Sequence, residues 1–278
     1  MAESEQTGRD DDWLPSKVSV AHLERYEAYT DAYSRRIVLA MRKVLEHPYH
    51  VLRNESHNIR TSLEEVVMPN HADLVGLMEQ PYSNDSLAYD YHQNAGPAPL
   101  ADAHRAAVHR AVHNYVSSVY SLRKQVEAIL NRRTKSLSGN QTDPLRVAWD
   151  QKKSAIAASP SNFFIFDLRH YIQHYAVAPL DHETQFGVVN GHTVVTSSET
   201  LVVAALLRKL HDLSASTVEM LKGRTDVELK PLVLDHGPMM FELNSWFADA
   251  LVGEGAPFLD EYNALSVECE VVLSGATN

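Results

Sequence analysis

Seven residues, Val108, Val112, Tyr115, Val119, Leu122, Val126 and Ile129, recur at alternating steps of four and three along one segment. On an α-helix that rhythm holds all of them on one stripe for three heptads, and such a stripe must be covered by other helices or by a partner. The chain is therefore expected to be mainly α, a helical bundle around one long helix. One departure is expected. FGVVNGHTVV (186–195) sets two β-branched arms around Asn190-Gly191, a turn pair that suits a two-residue hairpin. This predicts one β-hairpin at about 185–196, followed by a C-terminal helical segment.

The remaining punctuation fills in the bundle. Leu23, Tyr26, Tyr33, Ile37, Met41 and Val44 predict a helix from Lys17 to His47, ended by Pro48. A weaker helical pattern covers Ser56 to Met78, with an interruption expected at Pro69. The stretch 81–99 has loop chemistry, as does 132–144. A helix is expected over 144–158, and Ser161 is placed to cap the helix after it, which should end before Pro179. Beyond the hairpin, helices are expected at about 199–213, 229–252 and 256–272. GEGAP (253–257) reads as a joining turn, and Asp235-His236-Gly237-Pro238 as a break. The implied organisation is a flexible acidic lead (1–16), a bundle (17–180), and a hairpin with helices (185–278) that is separate from the bundle or continuous with it.

Bulk properties exclude several classes. The 278 residues are 44% hydrophobic and 22% charged, which is globular, not disordered. A formal charge of −11 argues against coating nucleic acid by bulk electrostatics, though not against a local basic groove. Cys269 is the single cysteine, so disulfide frameworks and cysteine-based zinc sites are out; it reads as a packed thiol. The polar start, MAESEQTGRDDD, lacks the features of a signal peptide, and the longest apolar run, Leu201 to Leu207, is too short to span a bilayer. A soluble cytoplasmic protein without membrane contact is expected. Glycine-rich phosphate loops, G-x-S-x-G, HExxH and GxGxxG are all missing from the sequence.

The segment FDLRHYIQHYAVAP (166–179) places Arg169, His170 and His174 among aromatic and aliphatic residues. With Arg169 at zero on a helical wheel, Gln173 falls at about 40°, His170 at about 100° and His174 at about 140°, opposite an apolar arc at about 200–320°. Phe163 and Phe166 share the polar arc, which suits an interface better than bulk solvent. A permanently charged arginine fork suits phosphate, and histidine suits proton transfer near neutral pH.

Arg169-His170-Tyr171-Ile172-Gln173-His174 resembles the Rx4-6H motif of the HEPN superfamily (higher eukaryotes and prokaryotes nucleotide-binding). The segment is also similar to stretches of uncharacterised bacterial helical proteins. The family resemblance implies an α-helical, metal-independent endoribonuclease that acts as a homodimer, in toxin–antitoxin or phage-defence systems. It implies phosphate binding by Arg169, general acid or base catalysis by His174, orientation by His170, and an RNA 2′-hydroxyl as nucleophile. No cofactor is implied; an antitoxin or other protein partner is. The same spacing recurs from Arg42 to His47, at an expected helix end.

Leu122 to Lys153 is locally basic, and Arg123, Lys124, Arg132, Arg133 and Lys135 are its candidate RNA contacts; Arg146, Lys152 and Lys153 complete it against Glu127, Asp143 and Asp150. Two further readings stay open. One is a non-catalytic helical interaction or scaffold protein that uses the 108–129 stripe and the motif face around Arg169 for partner contact. The other is a metal-binding helical protein through His109, His113, His170 and His174, two i,i+4 pairs without the carboxylates of di-iron bundles.

Overall fold

The computed structural model describes residues 32–92, 98–137, 141–189, 192–209 and 213–275. The chain is mainly α with a small antiparallel sheet. Its helices are α1 (Ala32–Leu45), α2 (Pro48–Thr61), a π-helical turn (Ser62–Val67), α3 (Met68–Ser83), α4 (Asp85–His92), α5 (Pro99–Ser136), α6 (Pro144–Ala157) and α7 (Pro160–His174). Strands β1 (Leu180–Val189) and β2 (His192–Val202) follow, then α8 (Val203–Leu207), α9 (Ala215–Leu221), β3 (Asp226–Glu228), α10 (Leu229–Gly255), a 3-10 turn (Ala256–Phe258) and α11 (Leu259–Leu273). No described helix is long and apolar enough to cross a membrane.

Two compact units divide the chain, Met1–Glu55 with Leu251–Asn278, and Ser56–Ala250. Inside the second unit β1 packs on α4 and β2 on α3. In the first unit α1 packs on α11 around Val44, Tyr262, Cys269 and Val272. The acidic lead and the first half of the helix expected at 17–47 lie outside the described residues.

The second unit is organised by α5. Its seven stripe residues are all at most 4% exposed, and α3, α4, α6 and α7 pack against it. Each such side chain contributes about 1.5–3 kcal/mol by leaving water, so the stripe alone accounts for the position of this helix. Pro69 does not break the chain as expected. It has no N–H to donate, and the helix widens just before it: the Met68 N–H bonds to the Leu63 carbonyl, five residues back. Pro81 likewise sits inside α3.

Three more expectations are corrected. Most of the loop expected at 81–99 is helix, since Asn84 accepts from the Leu87 N–H and caps α4, whose Leu87 and Ala88 are buried. The cap of α7 is Ser159, not Ser161, because Pro160 takes the first helical position and carries Ser161 into the buried interior. The helix expected at 199–213 begins as strand: Leu201 pairs with Leu180 and with Val227, and among its described residues only Val203–Leu207 is helical, 210–212 lying outside them. An all-apolar run carries no period, so pairing decided it.

The hairpin is present and longer than expected, with Leu180 to Val189 in register against Leu201 to His192; its Asn190-Gly191 turn lies outside the described residues. A third strand, β3, extends the sheet. The break expected at 235–238 is also corrected, as α10 runs straight through Pro238.

Candidate functional site

Helix α7 carries the motif. Phe164, Ile165, Leu168 and Tyr171, the apolar arc of the wheel, are buried, and this fixes which way the polar arc faces. That arc meets α5 through two stacked pairs. The Arg169 guanidinium lies 3.5 Å from the Tyr120 ring centroid, and Arg123 lies 4.6 Å from the Phe166 ring centroid. Both helices thus contribute one aromatic and one cation, three residues apart and in the same chain order, so that each cation meets the aromatic of the other helix.

Arg169 is half-buried, its Nε is covered without a hydrogen-bond partner, and it has no carboxylate partner among the described residues. Five other arginines of this unit have carboxylate partners: Arg60 with Asp249, Arg105 with Asp102, Arg123 with Glu127, Arg133 with Asp143, and Arg146 with Asp150. A cation in contact with a π face, with its charge not neutralised by protein, is suited to receive an anion.

His170 and His174 lie one turn apart with ring centroids 4.4 Å from each other, and Tyr175 flanks both at 6.2 and 6.3 Å. His170 is half-buried and His174 exposed, so α7 ends on an accessible imidazole pair. Imidazoles can accept a proton at one ring nitrogen and donate one from the other, which is the chemistry such a pair can offer.

The candidate RNA-contacting residues divide. Glu127 binds Arg123 at 3.0 Å and Lys124 at 2.8 Å, and this double pairing holds its carboxyl below the usual range despite the opposing effect of burial. Arg133 grips Asp143 with two bonds of 2.7 and 3.1 Å. Asp143 also caps α6 through the Leu145 N–H; burial opposes its ionisation, but these partners outweigh it and lower its pKa. Arg132 and Lys135 are exposed near the end of α5.

The four histidines of the metal reading are not brought together: among the described residues no three His, Cys, Asp or Glu side chains are grouped to hold an ion. His109 and His113 instead line a cavity of about 420 Å³ with Ile172 and Val177. Burial, then the charge of Arg105, lowers the His109 pKa.

One polar cluster escaped the sequence reading. The Tyr115 hydroxyl and Nδ1 of His236 share a hydrogen bond of 2.7 Å, both residues are fully buried, and Nε2 of His236 has no partner. His71 stands beside them, its ring 5.4 Å from Tyr115, its Nε2 donating to the Val233 carbonyl at 3.1 Å. Burial, with a smaller effect of His71, pushes His236 down to about 3. Tyr115 gave no warning because it reads as an ordinary stripe residue; the one signal was Gly237 beside it, in a helix that would otherwise prefer alanine. No protein-family model, no curated protein and no solved structure matches this chain.

Proposed function

We propose that the chain is a HEPN-like, metal-independent endoribonuclease that works as a homodimer, with α7 as the catalytic element. The observation that supports this is Arg169: stacked on Tyr120, without a carboxylate partner among the described residues, and followed directly by the His170–His174 pair. Arg169 would neutralise the phosphoryl oxygens. One imidazole would take the 2′-hydroxyl proton as the 2′-oxygen attacks phosphorus. A second would protonate the departing 5′-oxygen, leaving a 2′,3′-cyclic phosphate and a 5′-hydroxyl. Arg169 and His174 are about 140° apart on the helix, so one chain does not present both to one phosphate; a two-fold pairing with a second copy supplies the complement. A toxin–antitoxin or phage-defence role belongs to this proposal.

The ion pairs of Arg123 and Lys124 with Glu127, and of Arg133 with Asp143, favour a second reading, a non-catalytic helical interaction protein, because each of those cations already engages a protein carboxylate. The deciding experiment incubates the purified chain with a mixed RNA pool in excess EDTA, beside His174→Ala, with mass measured by light scattering. Cleavage by the wild type alone, from a dimer, is expected. A folded wild type that leaves RNA intact, or that is monomeric, overturns the nuclease proposal.

A further inference from the structure

A cavity of about 250 Å³ opens among α5, α6, α7 and α10, one turn along α7 from Arg169. Trp149, Phe163 and Phe166 give it aromatic walls, and Met240 and Leu243 add apolar surface. This explains why two phenylalanines lie on the polar arc of α7: they face this space instead of water. The volume is below the about 300–1,000 Å³ of pockets that hold drug-sized ligands. One ring or one branched chain fits, and a nucleotide does not.

The charged and polar groups around it decide what the ligand must carry. Asp167 is the acid in the lining, and its Oδ2 is already occupied, accepting from the Ser214 N–H at 2.9 Å and the Ser214 hydroxyl at 2.7 Å. Arg123 uses Nε on Glu127 and its face on Phe166, which leaves terminal N–H groups unspent. Lys153 and the Asn162 side chain line the cavity and have no hydrogen-bond or ion-pair partner among the described residues. In the wall, Nε1 of Trp149 is a buried donor without an acceptor. Unspent groups are thus mainly donors, two of them cationic, in a chain whose net charge is −11.

We propose that this cavity binds a small organic acid: a carboxylate held by Lys153 and Arg123, with an aromatic or branched aliphatic body against Phe163, Phe166 and Trp149. A neutral ligand of the same shape forgoes the charge-assisted bonds, and a cation meets like charge. The site shares Arg123 with the candidate RNA contacts, but neither His170 nor His174 lines it.

The test titrates the full chain with phenylacetate and 3-methylbutanoate and with their neutral amides, followed by calorimetry and saturation-transfer NMR. Two variants accompany it. Lys153→Met keeps the apolar stem and removes the charge; Ala157→Trp fills the rim from an exposed lining position. At least one acid is expected to bind saturably and about tenfold or more tighter than its amide, a difference of about 1.4 kcal/mol. Lys153→Met should abolish that preference and Ala157→Trp should abolish binding, with unchanged circular dichroism. Lack of saturable binding by both acids, equal binding of acid and amide, or insensitivity to either substitution overturns the proposal.

Discussion

Arg169 rests 3.5 Å from the Tyr120 ring centroid on α5, and three residues along each helix the roles reverse, with Arg123 of α5 over Phe166 of α7. The two stacks fix the motif helix by two points, in a way that leaves the outer edges of both guanidinium groups unspent. Lys124 adds a second cation over Tyr120 at 5.4 Å, which makes this tyrosine the most heavily used ring of the contact.

The Tyr120–Arg169 stack should be measurable by itself. A double-mutant cycle of Tyr120→Leu with Arg169→Met, read by urea unfolding, is expected to return a coupling of about 0.5–2 kcal/mol. Tyr120→Phe keeps the ring and should stay near wild type. A coupling indistinguishable from zero means that the stack is only a proximity.

His236 predicts a pH dependence with a definite sign. Burial holds it neutral in the folded chain down to about 3, whereas the unfolded chain takes up a proton below its ordinary value near 6.5. Between those values the unfolded state binds more protons, so stability rises with pH. The contribution is complete above about pH 6.5 and declines as pH falls, by up to about 1.4 kcal/mol per unit. His71, lowered by burial against the opposing Val233 bond, acts in the same direction. Urea unfolding from pH 8 to pH 5 should show this slope, and His236→Gln should flatten it; an equal slope in the variant excludes His236 as its source.

Gly237 is required by a side chain, not by its backbone. A Cβ there would come within 2.3 Å of Nε2 of His71, a ring boxed by Tyr115 and Phe241 and bonded to the Val233 carbonyl. Gly237→Ala is therefore expected to cost about 1–3 kcal/mol through overpacking, although alanine favours a helix by about 1 kcal/mol. In a His71→Ala background the same substitution should become neutral or stabilising. Thermal melts of the four proteins settle this, and equal effects in both backgrounds refute the clash.

Asp143 is at once a helix cap and the partner of Arg133. Removing it takes away the cap and both bonds to a partly buried guanidinium, so Asp143→Ala should cost about 1–3 kcal/mol. Arg133→Ala should likewise reduce stability, and under the nuclease proposal it should change RNA affinity less than Arg132→Ala. Filter binding beside urea unfolding separates the two effects. A large loss of RNA affinity at unchanged stability would make Arg133 a direct contact.

Sequence periodicity alone determined the helical class, the long helix α5, the buried arc of α7 and the hairpin, because each rests on spacing within one segment. Burial follows directly from such spacing: Val108 to Ile129 repeat with the helix and are all covered. Helix ends were less legible. Pro69, Pro81 and Pro238 all sit in or at continuing helices, since packing on neighbouring elements outweighs the loss of one backbone bond. Tertiary structure alone decided which polar groups meet. Residues 115 and 236, or 120 and 169, have no sequence relationship that marks them as partners, and the charge run 122–153 conceals that Glu127 and Asp143 form ion pairs with three of its cations. The cavity beside Phe166 has the same origin: it is a space left between four helices, and no single segment encodes it.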